Sequence, residues 1–90
     1  MTITVLAEDV AAAQIAHDEL GSLVGYHCPV WQALRRAGVS VAHVGATEIR
    51  IDDEHWIRMP PDVAPIISLF ADAWHQAIGR TFEWPPLARL

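Results

Sequence analysis

The chain has 90 residues, of which 52% are hydrophobic, and its six basic and eleven acidic side chains give a net charge of −5. This length predicts a single domain, residues 1–90, and the hydrophobic content is too high for a disordered chain. The apolar runs fall far short of the ~20 residues that cross a bilayer. A signal peptide is not expected either, because the residues after Met1 lack the basic region with which signal peptides begin. Negative net charge also disfavours nucleic acid as a partner, because gripping a phosphate backbone requires positive charge.

A strand and a helix are predicted for the first 20 residues. The stretch Thr2–Leu6 is rich in β-branched residues, which is typical of a strand. An alanine-rich run follows up to Leu20, and Glu8 and Asp9 place negative charge where a helix N-terminus is positive. We therefore expect a helix that Gly21 ends.

A second helix has the clearest start and stop signals in the chain. Pro29 follows Cys28 at the first helical position, where the missing N–H of proline costs nothing. Apolar residues then recur at i, i+3, i+4 and i+7 from Val30 to Ala37. Gly38 stands where a left-handed residue commonly ends a helix.

From Val39 onward the hydrophobic period changes from 3.6 to 2. The segments Val39–Val44, Thr47–Ile51 and His55–Met59 are predicted as three strands of an antiparallel meander. A slip of one residue would move every side chain to the other face, so the register is well specified. The expected inner-face residues are Ile49, Ile51, Ile57 and Met59, and the expected outer-face residues are Glu48, Arg50, Trp56 and Arg58.

A third helix and a last strand complete the predicted fold. Asp62 is expected to cap a helix that Gly79 ends. Thr81–Trp84 follows as a short strand. The order β-α-α-β-β-β-α-β predicts an α+β domain with three helices packed on one face of a mostly antiparallel sheet. The predicted core stripe of the third helix consists of Val63, Ile66, Ile67, Phe70, Trp74 and Ala77.

Catalytic and metal-binding patterns are weak in this sequence. Cys28, at a helix N-terminus beside His27, is the sharpest candidate nucleophile. No third orienting group is evident and free cysteine is among the most buried residue types, so we expect a structural role. None of the five histidines stands at a recognised ligand spacing. We predict no enzymatic activity, no metal and no cofactor, and the single cysteine fits a reducing cytoplasm.

Acidic clusters and two tryptophans are the candidate binding residues. If several acids share one side of the domain, their field could meet a basic groove on another protein; the alternative is that they serve only solubility. Trp31 and Trp56 are predicted at the surface, whereas Trp74 and Trp84 are predicted in the core. Exposed tryptophan is enriched in interface hot spots, although stacking of Trp31 on Arg35 would also explain its position. The candidate acids are Glu8, Asp9, Asp18, Glu19, Asp52, Asp53 and Glu54.

Several short segments, spread over almost the whole chain, carry a family resemblance: Thr2–Val5, Ala7–Val10, Cys28–Val30 with Ala33 and Leu34, Met59–Val63 with Phe70 and Asp72, and Phe82–Glu83. With them the chain resembles short acidic proteins of phages and prophages of GC-rich bacteria, and in size and charge it is similar to anti-CRISPR proteins directed at type I systems.

The resemblance implies a stoichiometric inhibitor in the host bacterial cytoplasm that binds a Cascade subunit through its acids and blocks DNA recognition. No direct contact with nucleic acid, no membrane and no small-molecule substrate is implied. The alternative is a small interaction or regulatory module that acts on another host protein.

Overall fold

The computed structural model describes residues 1–20, 27–51 and 55–85. The α+β class is confirmed, and the element order agrees with the prediction except that the third helix is divided in two. Residues 21–26, with the predicted helix end at Gly21, and residues 52–54, with the candidate acids Asp52, Asp53 and Glu54, lie outside the described residues. In chain order the elements are β1 (Thr2–Thr4), α1 (Ala7–Leu20), α2 (Pro29–Arg36), β2 (His43–Val44), β3 (Glu48–Arg50), β4 (Trp56–Arg58), α3 (Ala64–Ile67), a 3₁₀ helix (Ala71–Ala77) and β5 (Thr81–Glu83).

The described strands form two antiparallel sheets rather than the single predicted sheet. β1 pairs with β5, with Ile3 directly opposite Phe82, and β2, β3 and β4 form the second sheet in that order. Ile3 and Phe82 are both buried. Since β1 and β5 lie far apart in the sequence, their pairing joins its distant parts.

The hairpin of β3 and β4 has the predicted register. Ile49 lies directly opposite Ile57, and Ile49 is fully buried. β2 is shorter than the predicted strand Val39–Val44, because the N–H of Val41 donates to the carbonyl of Val39 and this tight turn interrupts the extended backbone. The inner face of this sheet therefore depends mainly on Val44 and Ile49, which are both buried.

The predicted end of α2 is confirmed in detail. Gly38 has a φ of +91°, in the left-handed region. Its N–H donates to the carbonyl of Arg35 at 3.1 Å, and the N–H of Val39 donates to the carbonyl of Leu34 at 2.9 Å. These two bonds form a Schellman motif, which satisfies carbonyls left unpaired at the helix end.

The third helix is broken at Phe70, contrary to the prediction of one continuous helix. The hydroxyl of Ser68 donates to the carbonyl of Pro65 at 2.9 Å, a local bond that competes with helix continuation. The backbone of Phe70 is extended, with a ψ of 161°, and its side chain is 82% exposed. The prediction that Phe70 belongs to the core is therefore wrong.

The 3₁₀ helix after the break brings a different set of residues to the core. With three residues per turn, Ala71, Trp74 and Ala77 lie on one face, and Trp74 and Ala77 are buried as predicted. The predicted capping role of Asp62 is wrong, because its carboxylate instead accepts the N–H of Glu83 in β5 at 2.9 Å. None of the helices in the described ranges is long and apolar enough to cross a membrane.

Candidate interaction surface

The outer face of the second sheet carries polar and aromatic side chains from all three strands. In the register of β2, β3 and β4, Arg50 lies directly opposite both His43 and Trp56, and Glu48 lies opposite Arg58. Because side chains alternate across a strand, all five project from the face opposite to Ile49. We call these five residues the Trp56 face.

Trp56 is the most exposed large aromatic side chain on this face. It is 51% exposed, and the guanidinium carbon of Arg50 lies 5.4 Å from the centroid of its ring. A cation at this distance from an indole ring is attracted by the ring quadrupole. The predicted outward position of Trp56 is confirmed, and its ring is in contact with Arg50 of the neighbouring strand.

Trp31, the second predicted anchor, is partly buried against the core. Arg35 lies 5.1 Å from its ring centroid, as the stacking alternative predicted, and the ring of His27 lies 5.2 Å away. Its indole Nε1 is buried and has no hydrogen-bond partner among the described residues. Trp31 therefore offers a partner less free surface than Trp56 does.

Asp9 is an internal structural residue rather than part of an exposed acidic surface, contrary to the prediction. Its side chain is 3% exposed, and it accepts the N–H of Leu6 at 2.8 Å, which satisfies a free donor at the start of α1. Arg36 of α2 donates to it from Nε at 3.0 Å and from Nη2 at 3.1 Å. This hydrogen-bonded ion pair raises the pKa of Arg36.

The guanidinium of Arg36 also connects α2 to the first sheet. Its Nη2 donates to the carbonyl of Thr4 at 2.7 Å. Asp9 and Arg36 thus join α1, α2 and β1, which explains why this carboxylate faces inward although acidic side chains are almost never buried without a partner.

Six of the eight acidic side chains in the described residues are exposed, but they are distributed over several elements. Glu8 lies at the start of α1, and Asp18 and Glu19 lie at its end. At 1.5 Å per residue the two groups are about 16 Å apart along the axis, or about two Debye lengths at physiological salt. Glu8 therefore acts on a partner separately from Asp18 and Glu19. Asp52, Asp53 and Glu54, the remaining predicted acids, lie outside the described residues.

Cys28 occupies a structural position. It is buried, and its side chain makes no capping hydrogen bond to α2. Burial raises the pKa of the Cys28 thiol above its usual range, against the opposing effect of nearby backbone hydrogen bonds. A thiol that stays protonated at neutral pH is a poor nucleophile. No group of three His, Cys, Asp or Glu side chains within the described ranges is arranged to hold a metal ion.

Comparisons with family models, with curated proteins and with solved structures give no match for this chain. Reasoning from the sequence placed Trp56 and Arg50 outside but did not select Arg50 as a site residue. The predicted strand register could have identified Arg50, because a register that places Ile49 opposite Ile57 also places Arg50 opposite Trp56.

Proposed function

We propose that this chain is a non-catalytic protein-binding domain that acts in the bacterial cytoplasm and contacts its partner through the Trp56 face. The observation that carries the proposal is the half-exposed indole of Trp56, stacked with Arg50 on a sheet whose other face is core. Tryptophan and arginine are the residue types most enriched in interface hot spots. A site on a strand is also positioned more precisely than one on a loop.

The exposed part of Trp56 is large enough to act as an anchor. A tryptophan can bury roughly 200 Å², of which about half remains available here, and at about 25 cal/mol per Å² this gives roughly 2.5 kcal/mol. That value exceeds the threshold of about 2 kcal/mol that defines a hot spot. One side chain could therefore account for much of the specificity of a small interface.

The charges around Trp56 indicate the chemistry of the partner. Arg50 and Arg58 flank the ring on a protein whose net charge is −5, and Arg58 is exposed. A complementary surface would offer an apolar pocket for the indole and acidic groups for the arginines. The expected partner is therefore a protein with an acidic rim around an apolar pocket.

A narrower proposal is that this partner is a subunit of a type I CRISPR effector, so that the chain is a stoichiometric inhibitor. Small size, net negative charge and the six exposed carboxylates support it. In that case Trp56 supplies the apolar contact, and the exposed acids supply long-range attraction to the DNA-binding surface. The narrower proposal adds attraction through the exposed acids, which weakens as salt rises and which neutralising those acids would remove.

Affinity capture with two matched variants tests the general proposal. Wild type, Trp56→Ala and Phe70→Ala are immobilised and exposed to host lysate, and the retained proteins are quantified by mass spectrometry. Both variants remove an exposed aromatic ring, but only Trp56 belongs to the proposed face. We expect one or a few proteins to be lost on Trp56→Ala and kept on Phe70→Ala. Equal retention on all three would overturn the proposal.

Purified type I effector complexes test the narrower proposal. Wild-type protein is expected to bind and to block target DNA binding at a one-to-one ratio. Neutralising Asp52, Asp53 and Glu54 together by Asn or Gln is expected to weaken binding and reduce its dependence on salt. Absence of binding to every complex from the host range would refute the inhibitor while leaving the general proposal intact.

A further inference from the structure

A cavity of about 330 Å³ lies between the start of α2, the turn from β2 to β3, and the segment that connects α3 to the 3₁₀ helix. Its volume is at the lower end of the range of about 300 to 1,000 Å³ that is typical of small-molecule sites. The side chains of its wall are mostly aliphatic and aromatic. They include Cys28, Val30, Val44, Ile66, Leu69 and Trp74.

The cavity selects an uncharged occupant. No Asp, Glu, Lys or Arg is among the described residues that line it. Cys28 adds a thiol that burial keeps neutral, because its pKa is raised. A charged ligand would lose its hydration here without gaining an opposite charge, and this is costly.

His43 supplies a polar group at the edge of the cavity, and Gly45 makes room for it. A Cβ atom on residue 45 would lie 3.2 Å from Cε1 of His43 and 3.4 Å from the carbonyl oxygen of Glu48. The first contact is tighter than ordinary van der Waals separation, so with a larger residue at position 45 the imidazole would have to move by a few tenths of an ångström. Gly45 thus leaves the imidazole of His43 in its place, and the ring is a polar group in an otherwise apolar lining.

We propose that this cavity binds a small, uncharged molecule with an aromatic or short aliphatic body and one hydrogen-bonding group that contacts His43. An apolar pocket with a few placed polar groups is the usual composition of such sites. Of the Trp56 face, His43 lines the cavity whereas Trp56 and Arg50 do not, so the two proposals share one residue and are tested by different variants. The expected class covers phenols, indoles and medium-chain alcohols.

N-phenyl-1-naphthylamine, an uncharged amine whose fluorescence rises when it leaves water, is a suitable probe. Titration into the protein is expected to saturate at one probe per chain. Indole and 1-octanol are expected to displace it in competition. Fluorescence that rises without saturation, or that neither competitor reduces, would overturn the proposal.

Two leucine substitutions at exposed alanines provide a matched pair. Ala46 lines the cavity, whereas Ala64 lies on α3 outside it, and both side chains are exposed. Ala46→Leu is expected to fill part of the space and weaken probe binding at least about tenfold, and Ala64→Leu is expected to leave it unchanged. Equal affinities for the two variants would show that the probe binds elsewhere.

Cys28 gives a second test that needs no variant, because it is the only cysteine in the chain. Methyl methanethiosulfonate converts the thiol to a mixed disulfide and releases methanesulfinate. Saturation with N-phenyl-1-naphthylamine is expected to slow this reaction several-fold. An unchanged rate would contradict the proposal. A second result would also contradict the proposal: wild type is a dimer that does not bind the probe, and Phe70→Ala is a monomer that does. In that case a second copy of the chain would occupy the cavity.

Discussion

Replacing Asp9 by alanine tests the structural role that separates this carboxylate from the other acids. The substitution removes the bond to the N–H of Leu6, a helix-capping contact worth about 1 kcal/mol. It also removes the paired bonds from Arg36, and hydrogen bonds to charged groups contribute about 1.5 to 3 kcal/mol. Because Arg36 is 34% exposed and can regain water, the lower end of that range applies.

We therefore expect Asp9→Ala to lower the free energy of unfolding by about 2 to 3 kcal/mol, a large share of the roughly 5 to 13 kcal/mol typical of 90 residues. The melting temperature should fall by roughly 10 to 20 °C. Urea and thermal unfolding followed by circular dichroism measure both quantities. Glu8→Ala is the matched control, because Glu8 is the preceding residue of the same helical turn and is exposed.

The control is expected to change the unfolding free energy by about 0.5 kcal/mol or less. A double-mutant cycle with Arg36→Ala should give a coupling free energy of at least about 1 kcal/mol. If Asp9→Ala is as stable as Glu8→Ala, or if the cycle gives no coupling, the assignment of Asp9 to the internal contacts of the fold is refuted.

Three further predictions concern single positions. Above about pH 8.5 the thiol of Cys28 loses its proton in the unfolded state but keeps it in the folded state, where it is buried. The free energy of unfolding of wild type should therefore fall, relative to that of Cys28→Ser, by up to about 1.4 kcal/mol per pH unit. The same pH dependence for both proteins, measured by urea unfolding from pH 7 to alkaline pH, would contradict this. Gly38→Ala should lower the free energy of unfolding, measured by thermal unfolding, by about 1 to 2 kcal/mol, because φ is +91° and alanine is strained there. A Cβ atom would meet no atom within 4 Å, so no steric clash adds to this loss. Asparagine tolerates this backbone better, so an equal loss for Gly38→Asn would argue against the explanation. Phe70→Ala should change stability by less than about 0.5 kcal/mol, whereas a loss of about 3 to 5 kcal/mol would restore the continuous helix with Phe70 in the core.

Elements with strong local signals could be predicted from the sequence. Pro29 and Gly38 determine where α2 begins and ends through backbone restrictions that act within a few residues. The alternation of apolar and polar residues from Glu48 to Arg58 determined the register of the hairpin in the same way. Pairing of β1 with β5 joins residues about 80 positions apart, and no local pattern specifies which strand meets which.

The third helix shows how two periodicities can share one sequence. Phe70, Trp74 and Ala77 fit an α-helical stripe, but Ala71, Trp74 and Ala77 fit a period of three equally well. No glycine or proline marks the break at Phe70, so the competing bond from Ser68 could not be anticipated.

The candidate site was partly predictable for a similar reason. The outward position of Trp56 followed from the strand period, whereas the burial of Asp9 depended on a contact with Arg36, 27 residues away. An acidic residue at a helix N-terminus can stabilise the helix or can belong to an exposed binding surface, and only tertiary packing distinguishes the two roles.

The most direct test of the protein-binding proposal is the affinity of the captured partner for wild type, Trp56→Ala and Phe70→Ala, measured by calorimetry at low and high salt. Loss of a hot-spot anchor of about 2 kcal/mol predicts a dissociation constant about 30-fold higher for Trp56→Ala, with Phe70→Ala equal to wild type. Salt should change these differences little, because burial of the indole is not screened. Equal affinities for Trp56→Ala and wild type, together with strong salt dependence, would contradict the Trp56 face and return the binding role to the exposed acids.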